Sequence, residues 1–233
     1  MEECTLRPIA HIQSAFAEKF GIPRQSGLVE SLPAQVIFEP EFRSAEALRG
    51  LEEYSHIWLI WHFSANRPVP ASPTVRPPRL GGNTRMGVFA TRSPYRPNPL
   101  GLSCVRLTSI ELSTPQGPVL HVAGADLMDK TPIFDIKPYL PHIDSKPDAL
   151  GGFSSRTKAY ALSVDFPPQL LLRVPAPLRK PLCEVLAQDP RPSYQNDPSR
   201  VYGFAFAEQE IHFTVSDGCV HVCGVSERGE KHK

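Results

Sequence analysis

The run Tyr54-Ser-His-Ile-Trp-Leu-Ile-Trp-His-Phe63 is the stretch from which the fold class follows. It is rich in β-branched and aromatic residues and lies between turn-forming residues, which is typical of a strand. The run Leu100-Gly-Leu-Ser-Cys-Val-Arg-Leu-Thr-Ser-Ile-Glu-Leu112 predicts another strand. Further runs of the same character are residues 35–39, 85–92, 118–123 and 158–166.

Helical patterns are few. Residues 44–51 and 177–188 predict short helices. The chain has 26 prolines among 233 residues, and an interior proline removes a backbone donor and clashes with the preceding turn. Successive short strands without alternating helices favour an antiparallel barrel or sandwich over a doubly wound sheet. We therefore predict a mainly β fold.

A change in amino-acid composition divides the chain. Residues 147–155 include two adjacent glycines and read as a connector. We place a first domain at residues 1–147 and a small C-terminal α+β domain at residues 156–226. The second domain is predicted from the strand-like runs 159–166, 201–206, 210–215 and 218–225 together with one helix.

Composition excludes several classes of protein. The net charge of +1 does not predict bulk polybasic binding. The longest apolar run, residues 57–61, is far shorter than the roughly 20 residues that span a bilayer, so we expect no membrane insertion. The N-terminus lacks an export signal and the five cysteines are too sparse for a disulfide framework. We therefore expect a cytoplasmic protein with reduced thiols.

Charge is unevenly distributed along the chain. Residues 54–110 contain seven arginines and no Asp, Glu or Lys. Arginine without lysine favours forked recognition of phosphate or carboxylate, or stacking on a base. The arginines lie in loops stiffened by proline, which predicts a site for a polyanion or an anionic ligand. The alternative is that they pair with acidic residues elsewhere in the fold.

A second polar stretch is residues 126–144. Carboxylates at Asp126, Asp129 and Asp135 are interleaved with Lys130, Lys137 and Tyr139 in a chain that its prolines keep extended. Acids beside lysines influence each other's protonation, which is how a general base or a cation-orienting group arises. The alternative is a set of surface ion pairs of little energetic value.

Other catalytic motifs are missing from the sequence. There is no dinucleotide-binding or P-loop glycine motif and no nucleophile elbow. Cys219, His221 and Cys223 would share a strand face, but alternate residues on a strand lie about 6.8 Å apart. All three therefore cannot easily bind one tetrahedral zinc ion, and we predict no metal.

Several blocks resemble a known family. They are Phe20-Gly-Ile-Pro-Arg-Gln25, Pro73-Thr-Val-Arg-Pro-Pro-Arg-Leu-Gly-Gly-Asn83, Met86-Gly-Val-Phe-Ala-Thr-Arg-Ser93, Arg96-Pro-Asn-Pro-Leu-Gly101, Asp135-Ile-Lys-Pro-Tyr-Leu-Pro141 and Leu186-Ala-Gln-Asp-Pro-Arg-Pro-Ser-Tyr194. In this order they resemble the TsaA-like family of tRNA methyltransferases, and the resemblance covers nearly the whole chain.

The resemblance implies a β-barrel methyltransferase that acts as a homodimer and uses S-adenosylmethionine. It further implies methylation of N6 of threonylcarbamoyladenosine at position 37, in the tRNA anticodon loop, with tRNA-Thr as the expected substrate. By position, the family's cofactor contacts fall on Pro23, Arg24, Gln25, Ser64, Arg92, Leu102, Asp126, Leu127, Met128 and Asp129.

Two positions depart from the family pattern. Ser64-Ala65 stands where the family carries His-Gln, so a cofactor hydrogen bond made there would need another donor, such as a backbone group or His62. Lys130 stands where the family tends to carry glycine. Lysine adopts positive φ less easily than glycine, so this turn differs from the family's or is strained.

The roles of the polar residues follow as hypotheses. The amide-like nitrogen that is methylated has a delocalised lone pair, so a base must remove its proton. We nominate Asp126, Asp129 or Asp135 as the base, with Lys137 and Tyr139 orienting the substrate. The residues expected to contact tRNA or its modified nucleoside are Arg76, Arg79, Tyr95, Arg96, Asn98, Lys137, Arg191, Tyr194 and Arg200.

Two other functions remain open on the sequence alone. A non-catalytic barrel that binds structured RNA explains the arginine loops equally well, but it gives no role to the acidic residues of 126–144. A methyltransferase acting on a small molecule would be active without tRNA. Binding of S-adenosylmethionine separates the first of these from an enzyme.

Overall fold

The computed structural model describes residues 4–66, 72–80, 83–157, 161–191, 195 and 197–229. Its strands are β1 (Ala10–Gln13), β2 (Pro33–Phe38), β3 (His56–His62), β4 (Thr74–Val75), β5 (Met86–Gly87), β6 (Leu100–Glu111), β7 (Val119–Ala123), β8 (Pro132–Pro138), β9 (Ser163–Asp165), β10 (Tyr202–Phe206), β11 (Gln209–Ser216) and β12 (Cys219–Glu227). Its α-helices are α1 (Pro141–Asp144), α2 (Pro168–Leu171) and α3 (Ala176–Ala187).

Six of these strands close into an antiparallel barrel in the order β1-β2-β7-β6-β3-β8. Alternate residues of β3 point inward, so that Ile57, Leu59 and Trp61 are buried and the residues between them are only half-buried. Ser103 and Gly101 of β6 lie opposite Leu59 and Trp61 and share the inner face. The predicted antiparallel β-barrel is confirmed.

The C-terminal part forms a second sheet, in the order β10-β11-β12-β9, in which β9 is parallel to β12. Helix α3 covers this sheet through Leu182, Val185 and Leu186. The same core also contains Phe16, Val29 and Leu32 from the β1–β2 segment, which is residues 14–32. The C-terminal sheet thus buries one face of a segment that begins and ends in the barrel.

Most sequence-predicted elements are present, and two are wrong. Residues 85–92 pair only over Met86–Gly87, because the amide of Val88 bonds to the carbonyl of Pro73 and the chain then enters a 3-10 turn. Residues 44–51 form 3-10 turns rather than an α-helix. Gly50 has a left-handed φ of 85°, which interrupts a helix. Only Leu48 of residues 45–53 is buried, and Leu51 is partly buried against the same core.

Two barrel strands were not predicted. Strand β1 has four residues, and β8 carries Asp135 and Lys137 between its prolines. Of the predicted strand 158–166, only Ser163–Asp165 is a strand, and residues 158–160 lie outside the described residues. In the described part of the chain, no helix has the length and apolar character needed to span a membrane.

The close packing of the Trp61 indole on Gly101 leads to a stability prediction. A Cβ at Gly101 would overlap the indole of Trp61, so Gly101→Ala should lower the free energy of unfolding by about 1–3 kcal/mol, the usual cost of overpacking. Gly87→Ala is the matched control, because a Cβ there meets nothing within 4 Å. Chemical denaturation of both variants measures the difference. Equal stability of the two variants would contradict this account of Gly101.

Candidate active site

A cleft of about 520 Å³ opens where the β1–β2 segment and the 88–99 loop meet the ends of β3 and β6. Six of the sequence-predicted site residues line it: Gln25, Arg92, Arg96, Asn98, Leu102 and Asp126. Its remaining lining residues were not predicted: Trp61, Phe63, Phe89, Thr91, Pro97 and Leu100. The cleft therefore joins the arginine loop to one of the three candidate aspartates.

Asp126 lies at the floor of this cleft, in the loop that follows β7. Its Oδ1 accepts a hydrogen bond from the hydroxyl of Ser103 at 2.5 Å. Burial raises the pKa of Asp126 above its ordinary value, while hydrogen bonds from Ser103 and the Ser26 amide and the charge of Arg92 act in the opposite direction. The net shift is upward, which brings this carboxyl closer to the range of a general base.

The guanidinium groups of Arg92 and Arg96 are oriented by neutral oxygens. Arg92 Nη1 donates to Gln25 Oε1 at 2.6 Å, and Arg96 Nη1 donates to the carbonyl of Thr91 at 3.2 Å. Across the described residues, no carboxylate lies within 4.0 Å of either guanidinium. Neither arginine therefore forms a direct ion pair with a described carboxylate, although the charge of Arg92 still acts on Asp126 from a greater distance, and both guanidinium groups can bind an anionic ligand.

The β1–β2 segment brings Gln25 and Ser26 to the cleft because it is held on both sides. On one side Phe16 packs edge-on against Phe206, with ring centroids 5.6 Å apart. On the other side the amide of Gly27 donates to the carbonyl of Gly124, two residues before Asp126. The C-terminal sheet thus indirectly fixes the wall of the cleft.

An exposed aromatic residue stands beside the arginines. The side chain of Phe89 is 80% exposed, whereas its neighbour Val88 is buried and anchors the turn. Phe89 also lines the cleft, so its ring is accessible to a molecule bound there. Phe89 lies within residues 85–92, which were predicted to be a strand, and it was not among the predicted site residues.

Comparisons with known proteins agree over the whole chain. Residues 11–145 match the family model of the tRNA-methyltransferase O N-terminal domain, and residues 160–228 match that of the TrmO C-terminal domain. The chain belongs to the TrmO family. The predicted family and enzyme class are both confirmed.

Named relatives and solved structures resemble this chain over most of its length. The tRNA (adenine(37)-N6)-methyltransferase of Escherichia coli strain K12 is 39% identical over 237 residues, which cover 98% of this chain and 100% of that protein. RcsF of Pseudomonas aeruginosa, whose name proposes an S-adenosylmethionine-dependent methyltransferase, is 40% identical over 90% of this chain and 91% of its own length. A crystal structure of TrmO from P. aeruginosa superposes with a TM-score of 0.78 at 33% identity and covers 98% of this chain and 99% of that one.

Several predicted cofactor residues of this TrmO-family chain lie outside the cleft. Pro23 and Arg24 line a smaller cavity of about 80 Å³ beside α3. Ser64 follows β3, and it is the adjacent Phe63 that lines the cleft. Leu127 is 1% exposed and belongs to the barrel core, and Met128 is half-buried beside it. None of these five lines the main cleft.

The other two candidate bases have different surroundings from Asp126. Asp129 Oδ1 accepts from the amide of Ser14 at 3.1 Å, which ties it to the end of β1. Asp135 lies opposite Ile60 on the outer face of the barrel and forms an ion pair with Lys137 at 2.8 Å. Neither lines the cleft. The alternative of a surface ion pair describes Asp135 and Lys137.

Tyr139 also lies on the outer face of the barrel. Its ring packs against Trp58 and His56, with centroid distances of 5.8 Å and 6.2 Å. Tyr139 and Lys137 are therefore not brought to Asp126, and the residues of 126–144 do not form one catalytic cluster in this chain.

The predicted tRNA-binding residues are divided. Arg76 is exposed, Tyr95 is 50% exposed beside the cleft loop, and the Arg200 guanidinium lies 5.4 Å from the ring centroid of Tyr202. Arg191 is different, because its guanidinium forms two hydrogen bonds to Asp189 at 2.8 Å and 3.0 Å and is only 10% exposed. It pairs inside the protein instead of facing solvent. Tyr194 and the side chain of Arg79 lie outside the described residues.

Lys130, which stands where the family tends to carry glycine, adopts a left-handed backbone conformation. Lys130 has a φ of 63°, so the turn is left-handed and lysine occupies it despite its Cβ. The amide of Lys130 donates to the carbonyl of Ile12, and this bond to β1 holds the residue in place. Of the two outcomes expected from the sequence, the strained turn is the one observed.

In the part of the chain that is described, no group of three or more His, Cys, Asp or Glu side chains could hold a metal ion. The cleft instead combines a carboxyl of raised pKa, two guanidinium groups and exposed aromatic surface. This combination can bind an anionic, ring-containing ligand and accept a proton from it.

The raised pKa of Asp126 leads to a prediction about stability. A carboxyl whose pKa is higher in the folded than in the unfolded state binds protons more tightly when folded, so the free energy of unfolding falls as pH rises through that pKa. Asp126→Asn removes the charge of this half-buried carboxyl group. The variant should therefore melt at a higher temperature than the wild type at pH 8, and the difference should shrink as the pH is lowered.

Thermal unfolding across pH 4–8 measures this difference. Asp148→Asn serves as the control, because Asp148 is an exposed residue of the connector. A wild type more stable than Asp126→Asn at pH 8 would show that the Asp126 carboxylate is not penalised by burial.

Proposed function

We propose that this chain transfers a methyl group from S-adenosylmethionine to N6 of threonylcarbamoyladenosine at position 37 of tRNA, with tRNA-Thr as its substrate. The observation that carries the proposal is the placement of one carboxyl of raised pKa, Asp126, in the same cleft as Arg92 and Arg96, neither of which forms an ion pair within 4.0 Å with a described carboxylate. The names of the relatives supply the reaction class and the position of the modified base.

The cleft is suited to the cofactor. Its volume of about 520 Å³ is within the roughly 300–1,000 Å³ of small-molecule sites. The guanidinium of Arg92 or Arg96 would hold a carboxylate, and Phe89 and Leu102 offer apolar surface to a purine ring. When bound, S-adenosylmethionine supplies an electrophilic methyl group on a positively charged sulfur.

Asp126 acts as the general base in this proposal. The N6 nitrogen of a carbamoylated adenosine bears one hydrogen and shares its lone pair with the purine and the carbonyl. Removing that hydrogen restores the nucleophile, and a base with a pKa shifted toward neutrality does so with the best balance of basicity and ionised fraction. Burial of Asp126 produces such a shift.

The arginines and the aromatic residues orient the nucleoside. A threonylcarbamoyl group carries a carboxylate, and a forked guanidinium binds it through two parallel hydrogen bonds. Anticodon loops present unstacked bases, which proteins commonly bind by stacking on aromatic rings. Phe89 and Tyr95, which are 80% and 50% exposed beside the arginines, offer such rings.

Two further features belong to the proposal. We expect a cytoplasmic homodimer, as the resemblance implies. We also expect the C-terminal sheet to extend the tRNA surface through Arg200, which is exposed. The buried Arg191 is not part of this surface.

Mass spectrometry of tRNA nucleosides tests the proposed function. Purified protein, isotopically methyl-labelled S-adenosylmethionine and tRNA lacking this methyl group should yield labelled methyl-threonylcarbamoyladenosine. Asp126→Asn should slow the reaction by about 10²–10⁴-fold, the usual contribution of a general base, and Arg92→Ala should slow it without loss of folding. Asp148→Asn, an exposed acid outside the cleft, is the control.

Three outcomes would contradict the proposal. Tight tRNA binding without calorimetric binding of S-adenosylmethionine identifies a non-catalytic RNA-binding barrel. Methyl transfer in the absence of tRNA identifies a small-molecule methyltransferase. Full activity of Asp126→Asn shows that another group removes the proton.

A further inference from the structure

A fully buried serine lies beneath the proposed base. Ser103 is on the inner face of β6 and is 0% exposed, among the apolar residues that fill the barrel. Its hydroxyl donates to Asp126 Oδ1 at 2.5 Å, and its oxygen accepts from the indole Nε1 of Trp61 at 2.9 Å. A chain of two hydrogen bonds thus connects the barrel core to the floor of the cleft.

Trp61 sets the direction of this chain. An indole N–H can only donate, so the Ser103 oxygen must be the acceptor in that bond. The single hydroxyl hydrogen of Ser103 is then directed to Asp126. A serine that donates to a carboxylate stabilises its ionised form, and that is the form able to take a proton.

The position of Trp61 is itself fixed. Gly101 lies opposite Trp61 across the β3–β6 pair, and its missing side chain leaves room for the indole. The ring of Phe63 packs on Trp61 with centroids 4.3 Å apart. The indole therefore has little freedom to turn its Nε1 away from Ser103.

We infer that Ser103, held by Trp61, is a positioning residue that keeps the Asp126 carboxylate in one orientation and ionisable although it is withdrawn from water. The inference rests on the proposed function, in which Asp126 is the base. It adds a reason for the serine and the glycine of Leu100-Gly-Leu-Ser103, which touch neither the cofactor nor the tRNA in that proposal.

The charged groups that line the same cleft as Asp126 are few and remain unchanged in the test. The 88–99 loop contributes the charges of Arg92 and Arg96, which line the same cleft. The β1–β2 segment contributes the amide of Ser26 and the neutral side chain of Gln25. The inner faces of β3 and β6 contribute Trp61 and Ser103, neither of which changes charge.

Two titrations test the inference on the full chain. Carboxyl ¹³C NMR of the ligand-free protein measures the pKa of Asp126 directly, and the pH dependence of kcat/KM measures the acidic limb of catalysis. Ser103→Ala should raise both midpoints, because it removes the donor that favours the ionised form. Trp61→Phe should raise them less, because the serine keeps its hydroxyl but loses its fixed direction.

Controls separate positioning from folding. Ser109→Ala, at an exposed position on the same strand, should leave both midpoints unchanged. If Ser103→Ala misfolds because the indole N–H is left unpaired, the double variant with Trp61→Phe removes both polar groups, and such paired replacements are tolerated far better. This double variant should show the same upward shift as Ser103→Ala.

The outcomes are distinct. An Asp126 midpoint in the NMR titration that is the same in Ser103→Ala, or in the double variant, as in the wild type would overturn the inference. A midpoint that rises in the NMR titration while the kcat/KM profile stays in place would instead overturn the role of Asp126 as base, and with it the proposed function.

Discussion

The desolvation of one carboxyl group is the constraint on which the site depends. Withdrawing Asp126 from water raises its pKa, and a buried carboxylate is tolerated only if donors and positive charge compensate for lost hydration. The chain supplies a hydroxyl from the barrel wall, an amide from the β1–β2 segment and the more distant charge of Arg92. Each comes from a different element, so the site exists only when the barrel, the segment and the arginine loop are assembled.

This requirement explains why the C-terminal sheet matters to a site it does not line. The β1–β2 segment has no partner strand in the barrel, and its apolar residues Phe16, Val29 and Leu32 are buried in the core beneath that sheet. Gly21 reinforces the contact, because it has a φ of 92° and a Cβ there would overlap Phe204. The sheet therefore stabilises the wall that carries Gln25 and Ser26.

The sequence predicted the barrel, and six of its candidate site residues line one cleft, for physical reasons. Long runs of β-branched and aromatic residues identify β3 and β6, and an arginine-only charge pattern in proline-rich loops identifies Arg92 and Arg96. It did not show that, of the three candidate aspartates, Asp126 is the one that lines the cleft, because burial and strand register decide this placement. A shift of one residue in β8 would exchange the faces of Asp135 and Ile136.

The residues that were missed share a cause. Ser103 is a lone polar residue in an apolar strand, and only its register opposite Leu59 places it inside the barrel. Phe89 lies in a run that the sequence pattern predicted as a strand. The structure instead forms a 3-10 turn there, which exposes its side chain. Arg191 was predicted to contact tRNA, and its pairing with Asp189 was not predicted. Long-range packing is required to see each of these.

The most direct test of the central claim is a crystal structure of the protein with S-adenosylhomocysteine and an anticodon stem-loop that carries the unmethylated nucleoside. The account predicts a carboxylate oxygen of Asp126 within about 2.6–3.2 Å of N6, the reach of a general base, with Arg92 or Arg96 on the threonyl carboxylate. A complex in which N6 contacts another acid, and Asp126 faces only the protein, would contradict it.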